Sequence, residues 1–238
     1  MASNQAVSVP YSAVTRELIF AGDEVRLAGQ IDYPTTPSGA TGYPLIFILH
    51  HAGCNAREDY DHFAQMGIAN GYAVFRWDKR GTGRSGASAR GSATQDAIYA
   101  YEMALDQPSI DRRRVVILAL GAGTALLGNT FGLFARAQHP YAALLVANML
   151  DTDAIRAIDC RIKIITSEQD WNPWQVYGEA ACHAHRETYK RHGASYYVAP
   201  DADRMLMISA DDKQTFHDGA RKVICDWLKH LTQVSRSI

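Results

Sequence analysis

Cysteine is scarce in this chain, and the four present, Cys54, Cys160, Cys182 and Cys225, share no paired or metal-ligand spacing. That scatter argues against a disulfide framework or a structural zinc site. Net charge is nearly absent too. Lys plus Arg number 24 against 25 Asp plus Glu, a balance of -1, which supplies no long-range attraction to polyanions or acidic membranes. Nucleic acid is therefore not an expected partner. No apolar run approaches bilayer length, and no charged stretch followed by an apolar one opens the chain. The expectation is a reduced, cytoplasmic protein with no membrane span, metal or cofactor.

Also missing are internal repeats and any Pro/Gly/Ser tract that would divide the chain. A chain of 238 residues can bury roughly three-quarters of its unfolded surface without staples, so residues 1–238 are expected to form one domain. What the sequence does contain is alternation. Residues 13–21 and 25–33 read as two strands joined across Gly22-Asp23, a hairpin signal. Pro44 to Leu49 is continuously apolar, as a strand covered on both faces must be, and Glu58 to Ala69 is helix-like before Gly71 stops it. Strands are further expected at 72–77, 114–120, 141–149, 162–166 and 195–198, with helices around 94–105, after 120, within 173–192 and around 214–231. Such alternation specifies a doubly wound, mostly parallel sheet of eight strands with an antiparallel N-terminal hairpin, which binds ligands at the carboxyl ends of its strands.

The stretch from Val115 to Leu127 has the build of a nucleophile elbow: a buried strand turning sharply into a helix, with the small residues Ala119 and Gly123 flanking the apex. The apex itself is Gly121. Glycine has no side-chain atom to add to a carbonyl, so no acyl-enzyme can form at that point.

Three segments in order resemble the α/β-hydrolase superfamily: Leu49-His50-His51-Ala52-Gly53-Cys54-Asn55, then Asp78-Lys79-Arg80-Gly81-Thr82-Gly83-Arg84-Ser85, then the elbow. The middle segment is similar to the D-x-R-G-x-G-x-S loop of esterases and peptidases. The resemblance implies the α/β-hydrolase fold over the whole chain. The short stretch Asp151 to Arg161, where many relatives insert a lid, implies a member without a cap. The resemblance also implies that Asp170 stands at the acid position and that Arg204, in Ala199-Pro200-Asp201-Ala202-Asp203-Arg204-Met205, stands where the catalytic His belongs. Arginine stays protonated and cannot act as a general base, so the triad positions Gly121, Asp170 and Arg204 are degenerate. The backbone donors of the oxyanion hole would be Ala52 and Ala122, with His51 and Trp171 beside the site. Arg204 is expected to pair with Asp170. The pocket at the glycine apex is expected to be occupied or plugged, with water, an anion or a small carboxylate there.

Other residues have blander readings. His217 suits an exposed or capping helix histidine, and Cys54 a small filler on a tight loop. Ser167 suits a turn residue, and Asp151 and Asp153 suit loop solvation or helix capping. Cys182-His183-Ala184-His185 resembles a ligand cluster, but on a helix its members point around the axis. Asp78 and Arg80 read as loop scaffold, Arg112-Arg113-Arg114 as a solvated strand entrance, and Trp171 and Trp174 as either pocket walls or packing.

Two readings compete. One is a pseudoenzyme that keeps the fold for a small carbonyl- or carboxylate-bearing ligand, or as an assembly or scaffold protein for a protein partner, with an oligomer possible. The other is an enzyme: a non-hydrolytic one using the same pocket, or a carboxylesterase-like serine hydrolase whose elbow Ser has been exchanged for Gly by engineering. A single exchange would explain Gly121 but not Arg204.

Overall fold

The computed structural model describes residues 13–53, 56–170, 174–210 and 213–234. Strands β1 (Ala13–Ala21) and β2 (Arg26–Pro34) form the antiparallel hairpin, followed by β3 (Tyr43–Leu49), α1 (Asp61–Ala69), β4 (Ala73–Trp77), α2 (Ala93–Leu105), β5 (Ile110–Leu120) and α3 (Ala122–Ala137). Then come β6 (Ala142–Val146), β7 (Arg161–Ser167), α4 (Trp174–Thr188), β8 (Ala194–Ala199), β9 (Met207–Ala210), β10 (Lys213–Phe216) and α5 (Asp218–Val234). The first eight strands form one sheet in the order β1-β2-β4-β3-β5-β6-β7-β8, parallel from β4 to β8. This is the α/β-hydrolase fold.

The central strands are apolar on both faces because both faces are covered. Side chains alternate across a strand. Leu45, Phe47 and Leu49 of β3, with Val115, Ile117 and Ala119 of β5, therefore meet the layer of α2, α3 and α4. Ile46 and Ile48, with Val116, Leu118 and Leu120, meet the layer of α1 and α5. The chain leaves β3 toward α1 and leaves β5 toward α3, and these helices lie on opposite faces of the sheet. Adjacent parallel strands whose connections diverge leave a crevice at their carboxyl ends. The register places Leu49 beside Ala119, so the His50-His51 loop and Gly121 face one another across it.

Several boundaries differ from the sequence reading. The last helix begins at Asp218, and Lys213–Phe216 instead pairs with Met207–Ala210 in a two-stranded sheet. Polar Lys213-Gln214-Thr215 adds nothing to a helical stripe, whereas strand pairing satisfies its backbone. The strand expected at 141–149 ends at Val146, because Ala147 turns the chain with φ 49°. The arginines 112–114 lie inside β5, not at its entrance. Residues 57–60 form a 3-10 turn ahead of α1. No helix among the described residues is long and apolar enough to cross a membrane.

Candidate active site

Gly121 sits between β5 and α3 with φ 48° and ψ -114°. This backbone conformation is costly for any residue with a Cβ. Its N–H donates to Val146 O at 2.9 Å, and its carbonyl accepts from Thr124 N at 2.8 Å and Thr124 Oγ1 at 2.7 Å. Gly123 is equally constrained, because a Cβ there would come within 2.6 Å of the Leu49 carbonyl oxygen. That approach seats the first turn of α3 against the end of β3. The N–H of Ala122 is among the first in α3 and has no intrahelical acceptor.

The apex is filled by His51. A Cβ built on Gly121 would lie 2.7 Å from His51 Nε2 and closer still to its Cδ2, so the imidazole occupies the volume into which a nucleophile's side chain would project. The apex is thus plugged, as expected, and the plug is a side chain. With no apex side chain, a neighbouring ring packs directly onto the glycine.

Two backbone contacts and one ring contact hold His51 in place. The His51 N–H donates to Tyr60 Oη at 2.7 Å, and its carbonyl accepts from Lys79 Nζ at 2.9 Å. Its Nδ1 makes a short hydrogen bond to Ala52 O. A carbonyl can only accept, so Nδ1 carries the proton and Nε2 keeps the lone pair. The Arg204 guanidinium, which can only donate, meets that Nε2 from Nη1 at 3.3 Å.

Arg204 also holds Asp170, with Nη2 donating to Asp170 Oδ1 at 2.9 Å. The pair follows from how the loops after β7 and β8 are tied. Glu168 N donates to Ala199 O at 3.0 Å, Gln169 N to Ala202 O at 3.1 Å, and Asp201 N to the Glu168 carboxylate at 3.1 Å. Asp203 then clamps the turn that bears Arg204 by accepting from Met205 N at 2.8 Å and Met207 N at 2.9 Å. The Asp170 side chain is 3% exposed and that of Arg204 28%. The order across the site is therefore carboxylate, guanidinium, imidazole, glycine. A triad would have carboxylate, imidazole, nucleophile.

His50 forms the inner wall. Its ring is edge-on to Tyr60 at 5.1 Å and to Trp77 at 4.7 Å, and Nε2–H donates to Trp77 O at 2.5 Å. Burial, with the positive charge of Lys79 as a second cause, pushes its pKa down to about 3 against the opposing pull of the Trp77 bond. It is a neutral ring at physiological pH. Asp78, also buried, accepts from Arg57 N at 2.9 Å and Arg84 N at 2.8 Å. Arg80 Nε donates to Asp96 at 2.6 Å. These residues scaffold the loop after β4, as the family resemblance implied.

The remaining candidates lie apart from this cluster. His217 is buried and caps α5, its Nδ1 accepting from Ala220 N at 3.0 Å. Asp151 Oδ1 accepts from Asp153 N at 3.0 Å and Ala154 N at 2.8 Å, capping the short turn Ala154–Ala157. Asp153 pairs with Arg156 at 2.6 Å. Ser167 is buried at the end of β7. Cys182 and His185 share the buried face of α4, while His183 is exposed. Trp171 and Cys54 lie outside the described residues. Sequence reasoning missed Tyr60, Lys79 and His50 as shapers of the site. Lys79 and His50 carried a signal, their places inside two of the family-like segments, and Tyr60 carried none.

No family model and no curated protein matches the sequence. Solved structures do match in fold. The esterase domain of a Rhodothermus marinus protein superposes with TM-score 0.63 at 17% identity, covering 91% of this chain and 99% of that one. An esterase from Pyrococcus furiosus gives 0.69 at 13% identity, with 93% and 92% covered. Carboxyl esterase 2 of the mycorrhizal fungus Tuber melanosporum gives 0.69 at 14%, with 94% and 89% covered.

Proposed function

We propose that this chain is a hydrolytically silent α/β-hydrolase-fold protein, a single cap-less domain kept for binding a small carbonyl- or carboxylate-bearing ligand. The observation that carries the reading is the His51 ring seated on Gly121, with its Nε2 turned to Arg204. Acyl transfer needs an attacking atom and a base to take its proton. Position 121 offers no attacking atom, and the group beside Asp170 is a guanidinium that cannot accept a proton. His51 cannot replace the missing base in place. Its Nε2 is already met by Arg204 Nη1 at 3.3 Å, and position 121 carries no hydroxyl for it to deprotonate.

An esterase inactivated by one exchange at position 121 is the weaker reading, since it leaves both Arg204 and the placement of His51 without a role. The test is incubation of the purified protein with a fluorophosphonate probe followed by intact mass measurement. The expected result is unmodified protein. Stoichiometric addition on any serine would overturn the proposal.

A further inference from the structure

We propose that this chain carries a second binding site, for a phosphorylated small molecule, in an open cleft of about 370 Å³ where β7 and β8 begin. Arg161 starts β7 and Ala194 starts β8, and the two strands run parallel. The cleft therefore lies at the amino ends of the sheet, on the far side from the crevice of Gly121 and Arg204. The proposal goes beyond the function proposed above and does not rest on it.

Charge of one sign defines the ligand. Arg161, Lys190, Arg191 and His230 line the cleft, and among the described residues no carboxylate does. The near-zero net charge of the chain conceals this local excess. Other neighbouring arginines are answered by acids, as Arg112 is by Asp106 and Arg114 by Asp111. Here the acids at hand are engaged, Asp159 by His192 Nε2 at 2.7 Å and Asp226 by Lys222 at 3.0 Å. Arg161 is held from behind, its Nε donating to His192 O at 2.8 Å. Both terminal nitrogens of that guanidinium are left without an acceptor among the described residues, and Lys190 and Arg191 make no ion pair there. The dipole of α4 does not account for the cluster. It favours cations in the last turn, where His185 and Arg186 stand, and fades beyond it, whereas Lys190 and Arg191 follow the helix and Arg161 and His230 belong to β7 and α5. Like charges gathered without a counter-charge repel one another, a cost that a bound anion removes. A phosphate monoester brings nearly two negative charges and three acceptor oxygens, and a guanidinium meets such a group with paired N–H donors. Trp227 and Ile162, both buried, complete the lining with apolar surface for the body of the ester. The volume falls within the range of about 300–1,000 Å³ usual for small-molecule sites.

The experiment is calorimetric titration of the wild-type protein at pH 8 with phenyl phosphate and with phenyl sulfate, which keeps the shape and carries one charge fewer. Phenyl phosphate is expected to bind about tenfold or more tightly, as a second charge-assisted contact requires. Lys190→Glu with Arg191→Glu should abolish that binding, and Arg161→Met should weaken it about tenfold. Lys190 and Arg191 are exposed, so the double variant is expected to fold, and its melting temperature checks this. The control is Arg112→Glu with Arg113→Glu, which makes the same change in net charge at exposed positions on β5 and should leave affinity within about twofold. Failure of phenyl phosphate to saturate the protein at millimolar concentration would overturn the proposal, as would equal affinity for the sulfate or equal loss in the two double variants. Binding of an oligonucleotide with none of phenyl phosphate would overturn it in favour of an extended polyanion. If Arg161→Met fails to fold, the two double variants and the phosphate-against-sulfate comparison still decide it.

Discussion

Placing a serine at position 121 should cost stability without conferring activity. In Gly121→Ser the new Cβ arrives 2.7 Å from His51 Nε2, well inside contact distance, and Oγ extends into the same ring. His51 is 6% exposed, held through its backbone by Tyr60 and Lys79 and at its ring by Ala52 and Arg204, so it cannot swing away freely. Two costs combine. A side chain at φ 48°, ψ -114° costs on the order of 1–3 kcal/mol, and overpacking costs a similar amount. Relaxation absorbs part of this, leaving about 2–4 kcal/mol, which for a chain of this length lowers Tm by roughly 5–15 °C. Thermal denaturation of wild type, Gly121→Ser, His51→Gly and the double variant forms a cycle. The coupling energy should favour the double variant by about 1–3 kcal/mol, because removing the ring vacates the space the serine needs. None of the four should take a fluorophosphonate label, since Arg204 still cannot accept the hydroxyl proton. A Gly121→Ser protein as stable as wild type, or one that labels, would refute the packing argument.

Two further outcomes follow from buried charge. Arg204→Ala should destabilise the fold by about 1–3 kcal/mol in denaturant unfolding. It strands the buried Asp170 carboxylate, and the cost falls below the range for fully buried pairs because solvent reaches the partly exposed arginine site. Asp170→Asn in the same background should recover most of the loss. His50 makes stability pH-dependent. Its folded pKa of about 3 lies below the ordinary value of 6.5, so between these the unfolded state binds the extra proton. Its contribution is full above about pH 6.5 and is lost toward pH 3, at up to about 1.4 kcal/mol per pH unit. His50→Gln should flatten that slope in urea midpoints measured from pH 7 to 4, and an unchanged slope would count against a buried neutral ring.

Much of this site was written in local sequence. Two strand faces of continuous apolar residues and a sharp strand-to-helix turn between Ala119 and Gly123 were readable because each depends on neighbours in the chain. The Arg204 to Asp170 pair was legible only through the family resemblance, which put the two positions at the ends of what are here the adjacent parallel strands β7 and β8. The seat of His51 was not. Its backbone is held by Tyr60 and Lys79 and its ring is met by Arg204, which come from three other parts of the chain, and no periodicity records a side chain filling another residue's missing volume. The β9–β10 hairpin escaped because its strands are four residues long each, too short for alternation to separate them from a helix start. The basic cleft escaped because Arg161 and His230 join Lys190 and Arg191 only in the fold.

The proposed hydrolytic silence, with the side chains at 51 and 204 closing over the glycine at 121, is tested most directly by the turnover of a small aryl ester, followed as phenolate release under excess substrate. The wild-type rate is expected to be no greater than that of the same protein unfolded in urea, at every pH from 6 to 9. A saturable rate that disappears on unfolding, or with Asp170→Asn, would contradict it.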